Sequence, residues 1–207
     1  MQYIIYFFIL YFSSISFSED INKDNFLNFL ASQKYISTSF NQRVISHEKE
    51  RNITGSLLAD RKARFKLVYE EPYNEIFMSD GKNLLRFDKE LDQLEIRPLE
   101  NLLKETPLGL LSLSEAELMK VFSVKSCDNQ RESLVCHLSL IKDEGYLFDV
   151  QIKVVNRFVS SLKYKDTFGQ AVAINFFNTS AEKIPLSKFT FVPPPGTDIV
   201  RHKNTLK

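Results

Sequence analysis

Short strand patterns that follow one another with only turns between them constrain this chain more than any other feature. Six such patterns cover residues 35–47, 51–60, 64–70, 75–79, 83–88 and 91–96. After a helical interruption, six more are predicted at 122–126, 134–141, 146–155, 158–164, 171–177 and 188–192. Consecutive antiparallel strands of this kind, about eleven or twelve in all, are expected to curl into a barrel or half-barrel.

Helical patterns lie at the start and in the middle of the chain, at 24–34, 98–104, 107–111 and 114–121. Asp24 is the predicted N-cap of the first helix, whose apolar stripe begins at Phe26. Pro98 suits the first turn of the second helix, and Ser114 with Glu117 resembles a capping box. The fold class is therefore mainly β with a few short helices.

The stretch 78–111 carries two strand patterns that lead directly into leucine-rich helical patterns, with no obvious catalytic group. This combination favours an apolar container over a reaction centre. Leucine stripes on helices are most often ordinary core residues, so a β-domain with a filled core stays open as an alternative on pattern alone.

The N-terminus has the pattern of a secretory signal peptide. An apolar run occupies residues 3–12, and the first charges are Glu19 and Asp20, which predicts cleavage after Ser18. The alternative is a retained membrane anchor, but the run is shorter than the roughly 20 residues that a bilayer span needs. We therefore expect residues 1–18 to be a signal peptide and residues 19–207 to form a single exported domain, without a lipid attachment at a cysteine near the cleavage point.

Composition and motifs exclude several classes of function. The 27 basic and 26 acidic residues nearly cancel, so nucleic acid is not an expected partner. The sequence lacks Gly-x-Ser-x-Gly, its three histidines lie in separate predicted elements, and its six glycines form no phosphate-binding loop. We predict that the protein is not an enzyme and uses no cofactor.

Cys127 and Cys136 flank a turn-like segment between two strand patterns. In an exported protein, this arrangement favours a disulfide across a hairpin, with a free pair as the alternative. A metal site is not expected, because the spacing is not Cys-x-x-Cys and His137 alone does not complete four ligands.

Alternation along the strands predicts which side chains face inward. In the second strand, Leu57 and Ala59 lie on one face and Arg61 has the same phase, so Arg61 is expected to point inward. The same rule assigns other side chains to one concave wall. Together with Leu57, the predicted wall consists of Phe65, Leu67, Tyr69, Phe148, Val150, Ile152, Phe158 and Leu162.

A series of short motifs follows in a set order along the exported chain. The motifs are Phe40-Asn41-Gln42, Gly55-Ser56-Leu57, Arg61, Phe65, Glu71-Pro72, Ser79-Asp80-Gly81-Lys82, Phe87-Asp88, Leu91-Asp92-Gln93-Leu94, Arg97-Pro98-Leu99, Thr106-Pro107, Leu110-Leu111 and Phe189-Thr190-Phe191-Val192-Pro193-Pro194-Pro195-Gly196. Each motif is weak alone, whereas the ordered set is specific. Their order resembles the periplasmic outer-membrane lipoprotein carrier family, LolA, over nearly the whole exported chain.

The resemblance implies an unclosed barrel whose apolar concave face is covered by a lid of short helices and takes up the acyl chains of lipoproteins. It also implies an inner-membrane ABC release complex that loads the carrier, an outer-membrane receptor that empties it, a periplasmic location and a monomeric state. In the family, an arginine at the position of Arg61 holds the lid closed through backbone carbonyls. The expected lid residues are Phe26, Phe29, Leu30, Leu102, Leu103, Leu110 and Leu111.

The chain departs from the family pattern at three positions. Lys62 and Lys89 stand where the family often has proline, and Leu67 stands where it often has tryptophan. These differences affect the turn after Arg61 and the shape of the cavity. A lipid-binding or sensing module with the same half-barrel is the alternative function.

Overall fold

The computed structural model describes residues 21–46, 49–70, 72–99, 103, 106–142 and 147–202. The predicted signal peptide and Leu102 lie outside these residues. Three α-helices are present, α1 (Phe26–Ser32), α2 (Gly109–Ser112) and α3 (Glu115–Val121). The strands are β1 (Tyr35–Ser46), β2 (Lys49–Asp60), β3 (Arg64–Tyr69), β4 (Glu75–Asp80), β5 (Asn83–Asp88), β6 (Gln93–Pro98), β7 (Phe122–Gln130), β8 (Ser133–Leu140), β9 (Leu147–Val155), β10 (Phe158–Asp166), β11 (Ala171–Ser180) and β12 (Asp198–Arg201).

All twelve strands form one sheet in the order β12-β6-β5-β4-β3-β2-β1-β11-β10-β9-β8-β7. Neighbours pair antiparallel, except that β12 runs parallel to β6. The two ends of the order, β12 and β7, do not pair with each other, so the sheet is unclosed. The predicted mainly β half-barrel is confirmed, and the strand number agrees with the expected eleven or twelve.

The concave face holds one apolar core that the short helices cover. Phe26 and Leu30 of α1 and Leu118 of α3 are fully buried, because the apolar stripe of each helix faces the sheet. Asn25, one residue after the predicted Asp24, occupies the N-cap position of α1. Ser114 precedes α3 and donates its hydroxyl hydrogen bond to Glu117 at 2.9 Å.

Two predicted elements differ from the structure. The helix predicted over 98–104 does not begin at Pro98, which instead ends β6 opposite Asn83, and most of its other residues lie outside the described part of the chain. Proline is tolerated there because it comes at the end of the strand, where the loss of one backbone donor costs little. The strand predicted over 188–192 is also absent, since Leu186–Phe189 is a 3-10 helix and the last strand is β12.

Within the described residues, no helix is both long enough and apolar enough to cross a bilayer.

Candidate functional site

A cavity of about 330 Å³ lies between the concave face of the sheet and the segment that follows β6. Its lining is mostly aliphatic and aromatic. The predicted wall residues that line it are Leu57, Phe65, Leu67, Tyr69 and Leu162, and the predicted lid residues that line it are Leu103 and Leu111. The remaining lining residues are Phe40, Gln42, Phe77, Leu84, Arg97, Leu99, Thr106, Pro107, Leu108, Tyr164, Ile174 and Phe176.

Strand register explains how the wall is built. Leu57 of β2 lies opposite Leu67 of β3, and Leu67 in turn lies opposite Phe77 of β4. Because alternate residues of a strand share a face, these pairs place their apolar side chains on the concave side together. The same alternation on β1 and β11 brings Phe40 opposite Phe176.

Gly55 is required for the close approach of the Phe40 ring. A Cβ atom at Gly55 would lie 2.2 Å from the Val68 carbonyl oxygen and 2.6 Å from the Phe40 ring. The ring can therefore extend over β2, where it makes an edge contact with Tyr69 at a centroid distance of 5.8 Å. Tyr69 makes a second edge contact with Phe77 at 5.9 Å, which extends the aromatic wall to β4.

Two predicted wall residues lie in a filled part of the core. Val150 is 1% exposed and Ile152 is 0% exposed, and neither borders the cavity. Both face inward, as their phase predicts, but other buried side chains cover them completely.

The predicted inward orientation of Phe148 is wrong, since this side chain is 47% exposed. Asp149 has a φ of 51°, and the pairing between β9 and β10 shifts at this point. Such a bulge reverses the alternation on one side of it, so Leu147 takes the inward position instead. Aspartate tolerates this left-handed backbone better than most residues.

The predicted orientation of Phe158 is wrong for a similar reason. The register of β10 shifts between Val159 and Ser161, which puts Val159, rather than Phe158, in phase with the inward Leu162. Phe158 is half-buried beside Ile36 and Val159 and does not line the cavity.

The predicted lid residues fall into two groups. Leu103 and Leu111 border the cavity. Phe26, Phe29, Leu30 and Leu110 are buried in the core beneath and beside it.

Arg61 stands in the turn between β2 and β3 and points into the helices. Its Nε donates to the carbonyl of Gln33 at 3.2 Å, and its Nη1 donates to the carbonyls of Leu110 at 2.8 Å and Leu113 at 3.3 Å. Nη2 donates to the carbonyl of Leu30. These carbonyls belong to the C-terminal parts of α1 and α2, where helix carbonyls lack intrahelical partners and carry partial negative charge.

Burial lowers the pKa of Arg61 to about 10, so the guanidinium stays cationic at neutral pH. A buried cation is costly unless its donors are satisfied. The four carbonyls satisfy them here without a counter-charge, which makes the interaction dependent on the positions of two helix ends.

A backbone hydrogen bond also ties the turn between β2 and β3 to α2. The backbone N–H of Ala63 donates to the carbonyl of Ser112 at 3.0 Å, and Ala63 has a φ of 58°. The sequence does not predict this contact, because every residue except proline carries a backbone N–H donor.

Other residues of the site were also absent from the prediction. Phe40, Ile174 and Phe176 could have been found by applying the alternation rule to β1 and β11. Leu99 and Leu108 lie in irregular segments without a period, so no sequence pattern assigns them to the cavity.

Polar groups in the lining are few. Burial, together with the negative charge of Glu75, raises the pKa of Tyr69 to about 12. Burial likewise raises the pKa of Tyr164, with a smaller contribution from Tyr69. The Thr106 hydroxyl has no hydrogen-bond partner in the described part of the chain. Because their pKa values are raised, Tyr69 and Tyr164 are neutral at physiological pH, and the cavity is uncharged except for Arg97 at its rim.

Cys127 and Cys136 face each other across the β7–β8 pair, with their sulfur atoms 1.96 Å apart. Cys136 is completely buried on the concave side. The described residues contain no group of three or more His, Cys, Asp or Glu side chains that could hold a metal ion.

Comparison with known proteins gives one consistent family. The profile of "Outer membrane lipoprotein carrier protein LolA" matches residues 31–192. An outer-membrane lipoprotein carrier protein of Methylibium petroleiphilum is 30% identical over 181 residues, which cover 86% of this chain and 88% of that protein. An outer-membrane lipoprotein carrier protein of Alcanivorax borkumensis is 30% identical over 186 residues, which cover 87% of this chain and 88% of that protein.

Among solved structures, an uncharacterised conserved protein from Thermus thermophilus has the same fold, with a TM-score of 0.56 and 10% identity. It covers 86% of this chain and 98% of its own. The family profile spans most of the chain, and the residues that line the cavity, helix α2 and Arg61 lie within the matched residues. The chain therefore belongs to the LolA family of outer-membrane lipoprotein carrier proteins.

Proposed function

We propose that this protein carries lipoproteins across the periplasm by enclosing their acyl chains in the cavity beneath the lid. The observation that carries the proposal is an apolar cavity whose cover is tied to the sheet by hydrogen bonds from Arg61 to backbone carbonyls. Membership of a family of carriers supports it and agrees with the prediction that the protein is not an enzyme.

An acyl chain in water is costly, at about 0.8 kcal/mol for each exposed methylene. A multiply acylated protein therefore needs an apolar cover to move through an aqueous compartment. The wall of Leu57, Leu67, Leu162 and Ile174 provides such a cover.

The closed cavity, at about 330 Å³, lies at the small end of ligand pockets, which measure roughly 300–1,000 Å³. Several acyl chains require more room, and we infer that cargo displaces the lid. Leu103 and Leu111 would then leave the wall, and the space that they fill in the closed state would become available.

Release follows from the same contacts. When α2 moves away, Arg61 loses the carbonyls of Leu110 and Leu113, and a buried cation without acceptors is unfavourable. The open, loaded state is thus raised in free energy relative to the closed, empty one. This difference favours transfer of the cargo to a receptor.

The partners follow from the family. We propose that an inner-membrane ABC release complex loads the carrier and that an outer-membrane lipoprotein receptor empties it. The predicted signal peptide and the family of periplasmic carriers support a periplasmic location.

A direct test incubates the purified exported chain with spheroplasts and separates the supernatant by size exclusion. We expect a soluble one-to-one complex with a lipoprotein. Recovery of free lipid without any lipoprotein would favour the lipid-binding or sensing alternative and contradict the carrier function.

Replacing Arg61 by Leu tests the release step. We expect the Arg61→Leu variant to accept lipoprotein and retain it, because the closed state no longer gains the carbonyl contacts. The exposed neighbour in the same turn gives the control Lys62→Leu, which should transfer normally. Transfer from Arg61→Leu to the receptor at the normal rate would show that Arg61 does not drive release.

A further inference from the structure

The outer face of the sheet carries a groove of about 800 Å³ that shares one lining residue, Tyr164, with the cavity beneath the lid. It crosses six neighbouring strands from β1 to β7. At the usual strand spacing this is about 24 Å, the length of roughly seven extended residues. Most of its lining residues are outward-facing, and buried residues of the same strands, such as Leu138, Val150 and Val172, also border it.

Two small residues create the recess. Ala173 lies between Arg43 of β1 and Lys163 of β10, and Ala171 lies between Ile45 and Lys165 on the same strands. Directly opposite residues of neighbouring strands have Cβ atoms about 5 Å apart, so the long side chains form banks around the alanines.

The charge of the groove is strongly one-sided. Five cationic side chains and one carboxylate line it, whereas basic and acidic residues are almost equal in the whole chain. The lining cations are Arg43, Lys125, Lys142, Lys163 and Lys165.

Two of these cations are paired. Lys165 binds Asp149 at 2.8 Å, and Arg43 lies 3.8 Å from Glu50. Lys125, Lys142 and Lys163 form no ion pair with any acidic residue that the structure describes. The groove therefore keeps an excess of positive charge.

The bulge at Asp149 contributes to the same surface. By reversing the alternation on β9, it turns Phe148 outward into the groove, where the ring is 47% exposed. An exposed aromatic ring beside cations is typical of a surface that is covered by a partner.

We propose that this groove is a docking site for an acidic, extended segment of a partner protein. Carboxylates complement the cations, the alanines leave space for backbone, and the length fits a short extended chain. A flat membrane surface does not fill a recess of this volume, so a peptide fits better than anionic lipid.

The first test uses three dye-labelled octapeptides in which alanine alternates with glutamate, glutamine or lysine. Fluorescence anisotropy with the purified chain should show saturable binding of the glutamate peptide, weaker at high ionic strength, and none of the lysine peptide. Equal binding of the glutamine peptide would overturn the proposal.

Charge removal localises the site. The double variant Arg43→Gln/Lys163→Gln should weaken binding of the glutamate peptide roughly three- to tenfold, as expected for two exposed charge contacts. The double variant Lys89→Gln/Lys188→Gln removes two exposed lysines outside the groove and should bind as the original chain does. Equal losses in both double variants would contradict the site.

Filling the recess tests its shape independently of charge. Ala173→Tyr should abolish peptide binding, whereas Asn175→Tyr, at the next outward position of β11 and outside the groove, should not. Binding of an apolar probe in the cavity should be unchanged in both variants. If circular dichroism shows that Ala173→Tyr does not fold, the two double charge variants alone test the docking site.

Binding of phosphatidylglycerol vesicles without any peptide binding would overturn the proposal in favour of a membrane.

Discussion

The strands β2–β6 and the strands β7–β9 both present apolar residues to the concave face, yet only the first set borders the cavity. Leu57, Leu67 and Phe77 face open space, whereas Ile152 and Cys136 are completely buried. We call the first set the hollow half and the second the filled half. None of the described residues of β7–β9, α1 or α3 lines the cavity.

The difference comes from the cover of each half. Two seven-residue helices, α1 and α3, contribute Phe26, Leu30 and Leu118 to the core. The hollow half is covered by the four-residue α2 and the irregular residues before it, which present Leu103, Leu108 and Leu111. A short helix with irregular flanks cannot fill the space above a curved sheet, and segments with little packing open most easily. We therefore propose that the lid opens at α2.

The largest expected effect separates the two halves by stability. Ile152→Ala should lower the free energy of unfolding by about 2–5 kcal/mol, because a fully packed site gains a new cavity. Leu111→Ala should cost at least about 1 kcal/mol less, since its side chain already borders an empty volume. Urea unfolding of both variants measures the difference. Equal losses would show that the hollow half is as tightly packed as the filled one.

A smaller effect tests where the lid opens. A Cβ atom on Gly109 would lie 2.1 Å from the Leu103 carbonyl oxygen, so Gly109→Ala must displace part of the cover. Overpacking of this kind costs about 1–3 kcal/mol. Since the cost falls on the closed state, affinity for an apolar fluorescent probe should rise about fivefold or more.

The exposed Glu115 in the first turn of α3 gives the control Glu115→Ala, which should leave probe affinity unchanged. An unchanged affinity in Gly109→Ala would mean that the probe enters elsewhere.

The smallest expected effect at neutral pH comes from Tyr69, whose contribution to stability changes only at alkaline pH. Tyr69 has a pKa raised from 10.0 to about 12, so the folded state holds its proton while the unfolded chain loses it. The stability that this contributes is complete below pH 10 and is lost between about pH 10 and 12. Tyr69→Phe should flatten the fall of stability in this range, measured by urea unfolding at several pH values. A fall of the same size in the variant and in the original chain would assign the dependence to other groups.

Local alternation succeeded where strands run without a bulge. It identified Leu57, Phe65 and Leu67, because β2 and β3 run without interruption from turn to turn. It failed at Phe148 of β9 and at Phe158 of β10, where bulges reverse the phase. A bulge depends on the pairing of two strands and is not visible in either strand alone.

Elements that depend on distant partners were the other source of error. β12 exists because it pairs with β6, more than 100 residues away, and a four-residue strand has no pattern of its own. Pro98 resembled a helix start until its pairing with Asn83 placed it at the end of β6. The contacts of Arg61 were expected from the family resemblance, whereas the division into two halves required the packing itself.

The central claim is that acyl chains enter the hollow half, and crosslinking tests it most directly. A triacylated lipopeptide with a diazirine in one acyl chain is bound to the protein and irradiated, and the labelled residues are mapped by mass spectrometry. The account predicts labels on β2, β3 and β4 and on the cover near Leu103 and Leu111. Labels concentrated on β7–β9 or on the outer face of the sheet would contradict it.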